Sequence, residues 1–100
     1  MNKVPKVERN IEMYKAILKL NTVEECMDFF DDLCTVTELV AMEQRFQVAK
    51  CLNDGMVYSD ILTKTGASSA TISRVNRSLQ YGKGGYETVF ARLDDDSEEE

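Results

Sequence analysis

The sequence predicts an all-α protein of about six helices within 100 residues. Three observations predict it. Apolar residues recur at three- and four-residue spacing along most of the chain. The joints between these periodic segments carry helix start and stop residues, with asparagine, serine or threonine before and glycine after. Finally, there is no period-two run bounded by turn residues, so nothing asks for a strand.

Pro5 precedes the first periodic segment, where a proline does little harm. Val7, Ile11, Tyr14 and Leu18 then repeat at helical spacing, with Met13 and Ile17 beside them, and predict a first helix from Val7 to Leu20. Asn21 or Thr22 caps a second helix, whose first turn holds Glu24 and Glu25 where the dipole favours them. It runs to about Cys34 and carries Val23, Cys26, Met27, Phe29, Phe30 and Leu33. Thr35 or Thr37 starts a third helix, which continues to about Asn53. Its apolar side is read as Leu39, Val40, Met42, Phe46, Ala49 and Leu52, and Gly55 is its stop. A short fourth helix from Tyr58 to Thr65 holds Ile61 and Leu62. Gly66 makes a sharp turn, and a fifth helix runs from Ser68 or Ser69 to about Tyr81. "YGKGGYE" lacks the GxxxxGK[ST] spacing and a preceding strand, so it reads as a flexible joint rather than a phosphate cradle. A last short helix is expected around Tyr86 to Leu93.

One domain over residues 1–93 and a disordered acidic tail over 94–100 is the expected organisation. The formal net charge is -6, but "DDDSEEE" at the end holds six acids and no base. Without it, the 18 acidic and 12 basic residues become 12 and 12, and the body is neutral. From Gly55 to Leu93 the five bases Lys64, Arg74, Arg77, Lys83 and Arg92 outnumber Asp60 and Glu87. The acidity of the whole chain therefore does not exclude a nucleic-acid partner.

No apolar run approaches the roughly 20 residues of a membrane span, and "MNKVPKVERN" lacks the apolar core of a secretory signal. Cys26, Cys34 and Cys51 are odd in number and form no CxxC pair, as expected of reduced thiols in the cytoplasm. With no histidine, a metal site would need four thiolates or carboxylate help, and none is expected. The same lack removes the usual general base, and no serine lies in a nucleophile elbow, so catalysis is not expected. Asp31 and Asp32 fit a solvated helix face. Phe29 and Phe30 are about 100° apart on a helix, too far for one small core to take both. A second copy of the chain could, which predicts a homodimer.

The fourth and fifth helices with Gly66 between them form a helix-turn-helix candidate over about 58–81. Counting from Tyr58, the apolar positions four, fifteen and eighteen of that pattern are Ile61, Ile72 and Val75. The glycine at position nine is Gly66, and only Leu62 at position five departs mildly. At 100° per residue, Ile72, Val75 and Leu79 form the packed face, Ser69, Ala70, Ser73 and Arg77 lie opposite, and Thr71, Arg74 and Ser78 form a flanking strip. Small and hydroxyl residues permit approach to base edges, and arginine pairs bidentately with guanine or phosphate. Solvation of an ordinary exposed face is the competing account of the same residues. The glycine and the apolar spacing favour the recognition helix.

From Leu33 to Leu79, about half the chain, the sequence resembles the Trp repressor family. The matching stretches are "TELVAMEQRFQVAKCLNDGM" and "ILTKTGASSATISRVNRSL", of which "ATISR" and "NRSL" are the most specific. Within the family the YerC/YecD type is the nearest. The resemblance implies an intertwined, all-helical homodimer that sets two helix-turn-helix units in successive major grooves of double-stranded DNA. It also implies transcriptional control in bacteria, as a repressor or a related regulator.

Carried over position by position, the family's tryptophan pocket corresponds to Thr35, Arg45, Thr71, Arg74 and Ser78. The glycine that leaves room beside the indole is Val75, and a leucine of the partner is Asp32. Three extra carbons at Val75 would crowd a flat ring, and such overpacking typically costs about 1–3 kcal/mol. Tryptophan is therefore not expected as corepressor, and no cofactor is assigned. The arginine that reads a guanine in the family corresponds to Ser59, so the operator is expected to differ. The DNA-binding set is Ser59, Lys64, Ser69, Ala70, Thr71, Ser73, Arg74, Arg77 and Lys83, on a palindromic operator. Two alternatives stay open: a protein-interaction module that keeps this fold, and a regulator responding to a different small molecule.

Overall fold

The computed structural model describes residues 8–99. Pro5, Val7 and Glu100 lie outside them. The element order is α1 (Ile11–Ile17), α2 (Val23–Leu33), α3 (Val36–Asn53), α4 (Tyr58–Thr65), α5 (Ser69–Tyr81) and α6 (Gly85–Glu99). No strand occurs among the described residues. The chain forms two compact units, one ending at Val36 and the other beginning at Thr37.

In the first unit α1 is shorter than the expected span to Leu20. Asn10 caps it, its side chain accepting from the Met13 amide at 3.3 Å. After Ile17 the chain tightens, with Lys19 N–H donating to the Ala16 carbonyl and Leu20 N–H to that of Ile17. These i→i+3 bonds end a helix in a turn. Thr22 caps α2, its Oγ1 accepting from the Glu25 amide at 3.0 Å, while Glu25 Oε1 accepts from the Asn21 amide at 2.9 Å. The pair is a close variant of the reciprocal capping box. Neither α1 nor α2 contains a buried residue. Leu18 is 83% exposed and Val23 77%. Phe29 and Phe30 meet edge to face at 5.7 Å, and both are half-buried.

The second unit has the core. Val48, Ala49, Cys51, Ile61, Ala67, Ile72, Val75 and Phe90 are buried together, with Leu52, Met56, Leu79 and Tyr86 packed against them. The buried side of α3 differs from the sequence reading. Val48 and Cys51 are inside, whereas Val40, Met42 and Phe46 are exposed. α3 is apolar on more than one side, so periodicity alone does not choose a face. Burial is concentrated in its C-terminal half, where α4 and α5 supply the rest of the core.

α3 stops as Gly55 requires. Gly55 has φ +84°, Met56 N–H reaches back to the Cys51 carbonyl and Gly55 N–H to that of Leu52, which is the Schellman closure. α6 is fixed by Phe90, whose ring stacks on Tyr86 at 5.8 Å, meets Phe46 at 5.6 Å and lies under the Lys50 ammonium at 5.7 Å. The helix does not end at Leu93. It continues to Glu99, through residues whose composition predicts a disordered tail. No proline or glycine interrupts that segment, and the i→i−4 ladder simply propagates from a turn already anchored by Phe90.

Gly66 closes α4 with φ +72° and ψ +5°, in the left-handed region, and a Cβ there would meet nothing within 4 Å. Its replacement by alanine should therefore cost only the backbone penalty, about 1–2 kcal/mol, with asparagine costing less. Urea denaturation of the two variants checks this. A smaller loss for alanine than for asparagine would contradict it.

Candidate nucleic-acid interface

α4, the Gly66 turn and α5 form the helix-turn-helix unit. Ile61 and Ile72 are fully buried and Val75 is 2% exposed, so the three apolar positions of the pattern share one interior. That burial fixes the rotation of α5 about its axis and decides which residues look outward. Ser69, Ala70, Ser73, Arg74, Arg77 and Ser78 are exposed, Thr71 is half-buried and Leu79 packs on the core. The outward row runs along a helix of 13 residues, about 20 Å at the usual rise.

The N-terminus of α5 is built by two hydroxyls. Ser68 Oγ accepts from the Thr71 amide at 3.1 Å and donates to Thr71 Oγ1 at 3.0 Å. This capping satisfies one of the orphan amides of the first turn. The remaining amides and the helix dipole favour an anion at this end.

The other expected residues are distributed around this unit. Ser59 is exposed in the first turn of α4, its carbonyl accepting from Thr63 Oγ1 at 3.1 Å. Lys64 is exposed in the last turn of α4, and Lys83 in the joint between α5 and α6. Among the pocket positions, Arg45 and Ser78 are exposed, and Thr35 belongs to the first unit. Val75 lies inside the core cluster. Ser78 also lines an open, mainly apolar groove of about 560 Å³ with Phe46, Gly82, Lys83, Gly85, Tyr86 and Val89.

Two polar residues escaped the sequence reading. Gln44 Nε2 on α3 donates to the Thr65 carbonyl at 3.3 Å. Thr65 Oγ1 donates to the Ile61 carbonyl at 2.8 Å and accepts from the Ala67 amide at 3.1 Å. A threonine just before a helix-stopping glycine hints at such back-bonding. Nothing local marks Gln44, because its partner is 21 residues away.

No helix among the described residues is long and apolar enough to cross a membrane. The model of the Trp repressor protein family matches residues 10–94. The uncharacterized protein YerC of Bacillus subtilis (strain 168) is 49% identical over 82 residues, covering 82% of this chain and 79% of that one. Two crystal structures superpose with a TM-score of 0.81 each. One, a candidate Trp repressor from Staphylococcus aureus, is 50% identical over 84% of both chains. The other, a TrpR-like protein from Eubacterium eligens, is 54% identical over 84% of this chain and 87% of that one.

Proposed function

The chain belongs to the Trp repressor family, and from that premise we propose that it is a sequence-specific DNA-binding regulator of transcription. It acts in the cytoplasm as a homodimeric repressor and without tryptophan. The observation that carries this reading is the outward row of α5. Ile72 and Val75 are buried, and Arg74 and Arg77 stand exposed beside Ser69, Ala70 and Ser73. Such a row combines phosphate anchors with residues small enough to approach base edges. The exposed apolar residues of α1 and α2 support a second copy as their cover. In a two-fold dimer the two recognition helices read half-sites about 34–36 Å apart.

The burial of Val75 supports independence from tryptophan, since its side chain occupies core volume where the family has room for an indole. The groove beside Ser78 favours a second reading, a regulator answering to a different small molecule. Its volume of about 560 Å³ falls in the range of ligand pockets.

The test is selection of bound sequences from a random DNA pool, using the full chain without ligand. A palindromic winner, with affinity falling steeply as salt rises, is the expected result. Enrichment only after addition of a metabolite would replace it with the effector-dependent reading, and thermal shift against the same metabolites would identify the compound. Weak, sequence-blind binding in every condition would sink both and leave a protein-docking module.

A further inference from the structure

We propose that Gln44 is a positioning residue for the helix-turn-helix unit, coupling α3 to the turn that sets the direction of the recognition helix. The role in reading DNA rests on the function proposed above; the mechanical coupling does not.

The last carbonyls of a helix have no partner within it. At the end of α4 the Leu62 carbonyl is taken by the Gly66 amide at 2.9 Å. The Thr65 carbonyl instead receives the Gln44 amide from another helix. Thr65 is also the knot of the turn itself. Its hydroxyl holds the Ile61 carbonyl on one side of Gly66 and the Ala67 amide on the other. Ile61 and Ala67 are both core residues. A single residue thus ties the end of α4 to the start of the connection into α5, and Gln44 ties that residue to α3. Gln44 and Thr65 are both half-buried, so their bond is partly shielded from competing water.

Direction matters because α5 extends about 20 Å from this turn. A few degrees of play at Gly66, which has no Cβ to restrict it, becomes an ångström or more at Arg77. Base readout needs hydrogen-bond distances held within a few tenths of an ångström, whereas attraction to phosphates tolerates looser placement.

The test compares Gln44→Met, which keeps length and helix propensity but removes the donor, with Gln47→Met on the same helix as control. Amide hydrogen exchange of the free full-length protein is read first. Gly66 and Ala67 should exchange about fivefold faster in Gln44→Met, the ratio expected from one hydrogen bond of ordinary net strength. Val75 and the Gln47→Met control should be unchanged. Unaltered exchange at Gly66 and Ala67, or an equal acceleration throughout α3 to α6, would overturn the coupling. Affinity for the selected duplex relative to a scrambled one is read second. It should fall by a similar factor, with binding to the scrambled duplex unaffected. A locally faster exchange with an unchanged affinity ratio would overturn the role in reading. If the wild-type chain selects no sequence, the DNA-binding function fails, and the exchange experiment still decides the coupling.

Discussion

Arg77→Ala is expected to weaken binding to the selected palindrome about tenfold or more while leaving binding to scrambled DNA much less affected. Arg77 is exposed on the side of α5 opposite Ile72 and Val75, where a guanidinium can form a bidentate pair with guanine. Loss of such a pair costs about 1–3 kcal/mol, and sequence preference relaxes at the base concerned. A homodimer forms the pair twice, so the effect on the full site exceeds that on a half-site. Lys64→Ala provides the contrast. Removing an ammonium that neutralises a phosphate should weaken all duplexes alike and reduce the salt slope by about one. Competition titrations at several salt concentrations separate the two outcomes. Equal losses on selected and scrambled DNA for Arg77→Ala would make Arg77 a phosphate anchor and move base reading to Ser69, Ala70 or Ser73.

Ile72→Ala should cost about 2–5 kcal/mol of stability, since truncating a fully buried isoleucine removes transfer energy and leaves a cavity. For a domain of this size each kcal/mol lowers Tm by about 4–8 °C, so the fall should exceed about 8 °C. Ser73→Ala, one residue on and exposed, should change stability by less than about 0.5 kcal/mol. Calorimetry at one protein concentration compares them. Similar melting temperatures for the two variants would show that the inward side of α5 has been misplaced. Arg77 would then not face the groove either, so the two experiments test one helix rotation from opposite sides.

That rotation is legible in the sequence because α5 has a single apolar stripe. Ile72, Val75 and Leu79 repeat cleanly, and the other positions are polar or small. The bounds of α4 are legible for a related reason, with Gly66 the only residue type that takes the left-handed turn without strain. α3 is harder. Its apolar residues surround it, and which of them are buried depends on α4 and α5, which lie later in the chain. The length of α6 is not legible because composition describes an isolated segment, and this one continues a helix anchored by Phe90. Thr65 and Gln44 show the limit most clearly. A hydrogen bond between residues 21 apart exists only after the fold has formed, and no spacing rule anticipates it.

The N-terminal helices have one more consequence. With no buried residue in α1 or α2, almost nothing within a single chain rewards their ordering. Given the proposed second copy as cover, their folding becomes subject to mass action. Every tenfold dilution then removes about 1.4 kcal/mol from the assembled state. Synthesis rate and degradation would set not only how many molecules are present but what fraction has a finished N-terminal half. Such a molecule meters its own abundance, engaging its targets more sharply than in proportion to the number of chains made.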